Sequence, residues 1–169
     1  MWSDPTPTPD KTKHRRARAK QWERWQGEIL PALLPEFGRV LQETKSLRDL
    51  EGRRQQTPSC HCLVKIHNIS IVRFSCIEDL ELQFCSCAPV AVQLMCLAAF
   101  ACSPILPSLA VDLRVLEFTM KLFLQVSPNN TAYTISLENV LADMGFQLHH
   151  QARFSVAHSA LRRDAILTK

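Results

Sequence analysis

Apolar residues recur at three- and four-residue spacing from Trp22 onward. Trp22, Trp25, Ile29, Leu33, Phe37, Val40 and Leu41 fall on one stripe and predict a long helix over 18–50. Pro31 and Pro35 interrupt its hydrogen-bond ladder, so a kink or two abutting helices is expected. EGRRQQTPS, 51–59, is a polar linker. The period then changes. Val64, Ile66, Ile69, Ile71, Val72 and Phe74 bring β-branched and aromatic bulk, and Leu80, Leu82 and Phe84 alternate with Glu81 and Gln83, the period of a half-buried strand. With turns expected at His67–Asn68 and at 75–79, this predicts a small antiparallel sheet at about 60–87. From Pro89 the helical period returns. One helix is expected to run to about Phe100. A second, capped by Ser108, continues through VDLRVLEFTMKLFLQV with only Arg114, Glu117 and Lys121 as a polar stripe, and so is mostly buried. A third spans about Thr131 to Met144 and is stopped by Gly145. The fold class is α+β: a small antiparallel sheet, a long kinked N-terminal helix, and three to four C-terminal helices.

The 169 residues, 46% of them hydrophobic, suit one domain with a tail. Residues 1–17 read as a disordered basic leader, 18–160 as one domain and 161–169 as a tail. Net charge is +4, and KTKHRRARAK, 11–20, carries six Lys or Arg and no acid. Lys11, Lys13, Arg15, Arg16, Arg18 and Lys20 therefore form the candidate nucleic-acid contact, or else a solvated leader. Arg162 and Arg163 add charge at the other end, whereas between Gln55 and Gln151 the only Lys or Arg are Lys65, Arg73, Arg114 and Lys121. MWSDPTPTPD lacks the apolar core of a signal peptide. The expected location is nuclear or cytoplasmic, not secreted. The charge-free run from Leu82 to Val111 is long enough to span a bilayer, but Pro89, Pro104 and Pro107 break it. No membrane role is expected.

Seven cysteines in a chain read as intracellular point to free thiols or metal ligands. Two pairs share one spacing: Cys60-His61-Cys62 and Cys85-Ser86-Cys87. On a helix, residues two apart point to nearly opposite sides and cannot share an ion. On a strand they share a face, with Cα atoms about 6.6 Å apart. A tetrahedral zinc needs sulfurs about 3.8 Å apart, which a bend supplies. Both pairs fall at expected strand ends, where folding the sheet back would close a four-thiolate site and clamp the sheet. The pattern fits small buried hydrophobes equally well. Cys96 sits between Met95 and Leu97 and reads as core. Cys102 lies a helix length beyond Cys87, so it reaches a shared ion only if the chain doubles back. Cys76 and His67 fall at expected turns. No nucleophile–base pair or phosphate loop is present.

CSCAPVAVQL, FACSP, PSLAVDLRVLEF, KLF, SPNNTAY and LENVLADMGFQL, together with WQGEILPALLPEFGRVLQETKSLR and the pair at Cys60 and Cys62, resemble the CxC-type cysteine-cluster domain found with Kyakuja–Dileera–Zisupton (KDZ) transposases of fungal genomes. The resemblance covers about 15–160. It implies a zinc-chelating module placed ahead of a transposase catalytic domain, with nucleic-acid binding as its role. Carried over by position, Cys60, Cys62, Cys85, Cys87 and Cys102 match the family's cysteines, while Cys76 and Cys96 do not. Members read Gly-Leu-Phe-Pro-Cys where this chain has Ala98-Ala99-Phe100-Ala101-Cys102. The catalytic part would carry an acidic triad on a ribonuclease-H-like fold. Asp112, Glu117 and Asp143 have no strand scaffold for two-metal chemistry, and the expected protein is a non-enzymatic stand-alone remnant, a domesticated fragment or a truncated gene product. The expected cofactor is zinc, and the expected partner is DNA, bound weakly and salt-dependently, or a transposase. No small-molecule substrate is expected. The alternatives are a helical docking module without DNA contact and a degenerate transposon fragment.

Overall fold

The computed structural model describes residues 11–50 and 62–147. The apolar stripe becomes one long helical run: α1 (Lys11–Arg24), a π-helical turn (Trp25–Ile29) and α2 (Leu30–Glu43). In the π turn the Leu30 N–H donates to the Trp25 carbonyl, five residues back. It comes immediately before Pro31, whose ring has no N–H to continue the α ladder. The expected interruption is thus a π turn, and Pro35 sits inside α2. The helix begins at Lys11, inside the stretch read as a disordered leader. A run of Lys, Arg and Ala has good helix propensity, and charge alone did not decide its conformation. α2 ends at Thr44. Lys45, Ser46 and Leu47 follow with φ of 49°, 60° and 64°, a left-handed turn costly for side chains with a Cβ. The buried Thr44 braces it: its Oγ1 donates to the Val40 carbonyl at 2.6 Å and accepts from the Leu47 N–H at 2.9 Å.

The sheet has four strands and is mixed, not purely antiparallel as expected. β1 (Lys65–Val72) and β2 (Ile77–Phe84) form an antiparallel hairpin with Lys65 opposite Phe84 and Val72 opposite Ile77. Its turn is 73–76, closed by the Arg73 N–H donating to the Cys76 carbonyl at 2.9 Å. His67 and Asn68, expected in a turn, lie inside β1. The β-branched run around them outweighs the turn preference of one Asn. After α3 (Val90–Cys96) come β3 (Ala99–Ala101) and β4 (Leu109–Asp112). β4 runs parallel to β1 and antiparallel to β3, giving the order β2-β1-β4-β3, a mixed sheet. The expected helix to Phe100 stops four residues early because Ala98 takes φ of 56° and turns the chain into β3. Likewise Leu109–Asp112, all buried, reads as a strand. Asp112, not Ser108, caps α4 (Leu113–Gln125), and α5 (Asn130–Asp143) follows with Gly145 at φ 87° after it.

Each sheet face has its own apolar cluster. Trp25, Ile29, Leu33 and Val40 of the N-terminal run pack with Leu94 and Met95 of α3 against Ile69, Ile71 and Leu82. Trp25 stacks on Phe100 with ring centroids 5.4 Å apart. Val72, Leu109 and Val111 pack instead with Val115, Leu137 and Leu141 of α4 and α5. α4 is less buried than its sequence predicts: Phe118 and Leu124 are exposed, because the sheet and α5 cover only one side of it. No helix among the described residues is long and apolar enough to cross a membrane. The charge-free run is divided among β2, α3, β3 and β4.

Candidate functional site

The cysteine geometry follows from the hairpin register. Lys65 pairs with Phe84 at the open end. Three further steps outward put Cys62 opposite Cys87, and their Sγ atoms are 3.0 Å apart. Cys87 is exposed and Cys62 half-buried. The sequence expectation brought both two-apart pairs to one ion; the contact seen among the described residues joins one cysteine of each pair across the hairpin mouth. The reason is that the ladder ends at Phe84 and 85–87 enter a turn. There the same-face rule for strand residues two apart no longer applies. Cys85 is buried while Cys87 is exposed. Among the described residues no group of three or more His, Cys, Asp or Glu gathers as a metal site, so neither Cys85 nor Cys102 joins the pair there. Cys60 lies outside the described residues.

The donor chemistry fits half of a thiophilic site. Two sulfurs bound to one tetrahedral zinc lie about 3.8 Å apart, so the 3.0 Å contact needs only a slight opening. Cys60 and Cys85 each stand two residues from a member of the pair.

Cys102 belongs elsewhere. It follows β3, its N–H donates to the Leu109 carbonyl at 3.0 Å, and its side chain is in the α4–α5 cluster. Burial pushes its thiol up to about 12, which disfavours the thiolate that a metal needs. Cys96 lies at the seam of α2 and α3 rather than deep in the core. Its sulfur is 3.6 Å from Arg39 Nη2, and burial, then Glu36, raises the thiol to about 11. Cys76 closes the hairpin turn. His67 sits on β1, with Nε2 3.2 Å from the Pro107 carbonyl.

At the other end of the hairpin is a charge network the sequence reading missed. Arg73 Nη1 donates to Asp112 Oδ2 at 2.6 Å, and its Nη2 lies 2.6 Å from Glu78 Oε2. Asp112 Oδ1 accepts from the Arg114 N–H at 2.8 Å, capping α4. A visible signal was Asp directly before an apolar run, the usual N-cap pattern.

The basic residues Arg15, Arg16, Arg18 and Lys20 are exposed on α1. Lys11 and Lys13 lie in its first turn, their side chains outside the described set, as are Arg162 and Arg163.

A comparison with protein families matches residues 44–144 to the CxC1-like cysteine cluster associated with KDZ transposases. The chain belongs to this family. No curated protein and no solved structure matches it significantly. The matched region starts at the Thr44 turn and ends just after α5, so it holds the whole sheet, α3, α4, α5 and the Cys62–Cys87 pair. The basic α1, the π turn and α2 lie outside it. The family assignment is to a cysteine-cluster module, and no catalytic transposase domain is matched.

Proposed function

We propose that this chain is a zinc-binding cysteine-cluster module of a transposase-related protein, itself non-catalytic, that brings its host to nucleic acid. The observation that carries the reading is the Cys62–Cys87 contact of 3.0 Å at the hairpin mouth, within a family of cysteine clusters. Cys62 and Cys87 hold the ion, and Cys60 and Cys85, each two residues from a member of the pair, are the thiols that complete its coordination once Cys85 turns outward from its buried position. Cys102 is assigned to packing. The ion supplies folding energy, since a site assembled from two strands exists only when they pair. The chain's own residues do the rest. Register sets the two thiols opposite one another, and exposure keeps them open to solvent. The charge on α1 supplies phosphate affinity.

Metal analysis of the purified chain tests this. One zinc per chain is expected, lost in Cys62→Ser and Cys87→Ser and kept in Cys102→Ala. Absence of bound zinc after incubation with the metal, or full retention by Cys62→Ser, refutes it. A second reading, a docking module for another protein, is favoured by the exposed Ile105, Leu106, Phe118 and Leu124. It predicts a protein complex that survives high salt, unlike phosphate contacts.

A further inference from the structure

We propose that α1 is a major-groove helix: it lies in B-form duplex DNA and contacts the phosphates of both groove walls. The inference rests on the nucleic-acid reading above and specifies its partner and its geometry. At about 100° per residue, Arg15 and Arg18 share one line of the helix. Arg16 and Lys20 share another, about 150° around the axis. Lys11 and Lys13 continue the two lines in sequence, toward the helix start. All four described cations are exposed, and no salt bridge to an acidic residue is found for them among the described residues. The exposed Ala17 and Ala19 occupy the two flanks between the lines.

This arrangement selects among anionic partners. A helix on a membrane presents one basic face and one bulky apolar face. Here the cations stand on opposite sides, and the flanks are Ala. A flat anionic surface would engage only one of the lines. A groove has two anionic walls. The major groove of B-DNA is about 12 Å wide and admits a helix about 10–12 Å across, with small residues turned to floor and mouth. The deep, narrow major groove of duplex RNA does not admit one. Position fits as well. The first α1 residue to pack on the core is Trp22. Among the described residues none of α1 before Trp22 belongs to the core, and Trp22, Trp25 and Ile29 set the helix direction.

The test uses the full chain with fluorescently labelled 20-base-pair DNA, the RNA duplex of the same sequence, and phosphatidylcholine–phosphatidylserine vesicles. Anisotropy is read against salt for wild type, Arg15→Ala/Arg18→Ala, Arg16→Ala/Lys20→Ala and the fourfold variant. Circular dichroism checks that the helix content is kept. Each pair should weaken DNA binding to a similar extent and reduce the magnitude of the log–log salt slope by about 1.8, since each phosphate contact contributes about 0.9. The fourfold variant should lose about twice that, and the DNA duplex should outcompete the RNA duplex and the vesicles. One pair carrying all the binding, or equal binding to RNA or vesicles, overturns the two-wall geometry. Undiminished binding by the fourfold variant overturns the role of α1 while leaving nucleic-acid binding by the rest of the chain intact. No binding by the wild type refutes both.

Discussion

Replacing Asp112 by Ala should cost about 3 kcal/mol of folding stability, and the structure says where that cost arises. The carboxylate is 1% exposed and serves two elements. Oδ1 accepts the Arg114 N–H at 2.8 Å, the N-cap of α4; loss of such a cap costs about 1 kcal/mol. Oδ2 accepts from Arg73 Nη1 at 2.6 Å. Removing one partner of a fully buried pair costs about 3–5 kcal/mol. The cost here is smaller, about 2 kcal/mol, because Arg73 is 26% exposed and keeps Glu78. Asp112→Asn keeps one acceptor for the cap but turns its amide NH2 donor toward Arg73, so it saves only the cap's share and should cost about 2 kcal/mol. In an Arg73→Met background the Asp112→Ala cost should fall to the cap and the longer Arg114 contact at 3.4 Å, about 1 kcal/mol together. Urea unfolding followed by circular dichroism gives all three differences. Equal costs of Asp112→Ala with and without Arg73 would show that the ion pair contributes nothing.

The remaining predictions concern the thiols and one backbone position. Cys62→Ser and Cys87→Ser should lose zinc and lower the unfolding midpoint of the zinc-loaded protein, while chelation should lower the midpoint of the wild type but not that of the variants. Burial raises Cys102 to about 12 and Cys96 to about 11, from an ordinary value of 9.0. Folding therefore favours the protonated thiols: their contribution is full below about pH 9 and is lost as pH rises toward 11–12. In the metal-free protein iodoacetamide at pH 8 should label the partly exposed Cys62 and spare the buried Cys102, as mass spectrometry of the digest will show; prompt labelling of Cys102 counts against its buried placement. Ala98→Gly should change stability by less than about 0.5 kcal/mol, because relief of φ 56° offsets the entropy cost of Gly. Ala101→Gly, in a buried strand position, should cost about 1 kcal/mol or more; equal losses would refute the strain argument.

The parts of the fold that repeat a period were legible. The stripe from Trp25 to Val40 and the alternation through Leu82 fixed the long helix and the edge strand, because burial on one face leaves a periodic trace. β3 and β4 left none. Ala99–Ala101 is too short for a period, and Leu109–Asp112 is buried on both faces, so an apolar run there looks the same as a helix. The cysteines were recognised as a set, with the two pairs expected to converge when the sheet folds back. Their real pairing is a matter of register: Cys62 and Cys87 are equidistant from the turn at 73–76, and reading 75–79 as the turn hid that symmetry. The Arg73–Asp112 pair links residues 39 apart, a separation at which sequence pattern carries no signal.

The positions of the thiols make sense once the two ends of the hairpin are compared. At the closed end Val72 is fully buried and Ile77 packs on the α4–α5 cluster, with Arg73 bonded to both Glu78 and Asp112. Burial and charge hold that end. At the open end Leu63 is 89% and Ile66 66% exposed, so little hydrophobic energy opposes fraying. β2 is moreover an edge strand, with β1 as its single neighbour; the side-chain bonds of Glu78 to Arg73 and of Asp79 to Ser70 lie toward its closed end, and the charge of Glu81 guards the edge against pairing with other chains. A link between Cys62 and Cys87 acts where the other forces are weakest, joining the free end of the edge strand to the strand that carries it. That is where a bound ion stabilises most: it closes the hairpin from the end opposite its turn and fixes the point at which the chain leaves the sheet for α3. On this account the ion controls the pairing of β1 with β2 and leaves the helical layers in place. Hydrogen exchange should then show chelation exposing the amides of 65–68 and 81–84 first, with those of α2 and α4 unchanged. Uniform exposure across the molecule would mean that the thiols serve the whole fold and not the hairpin mouth.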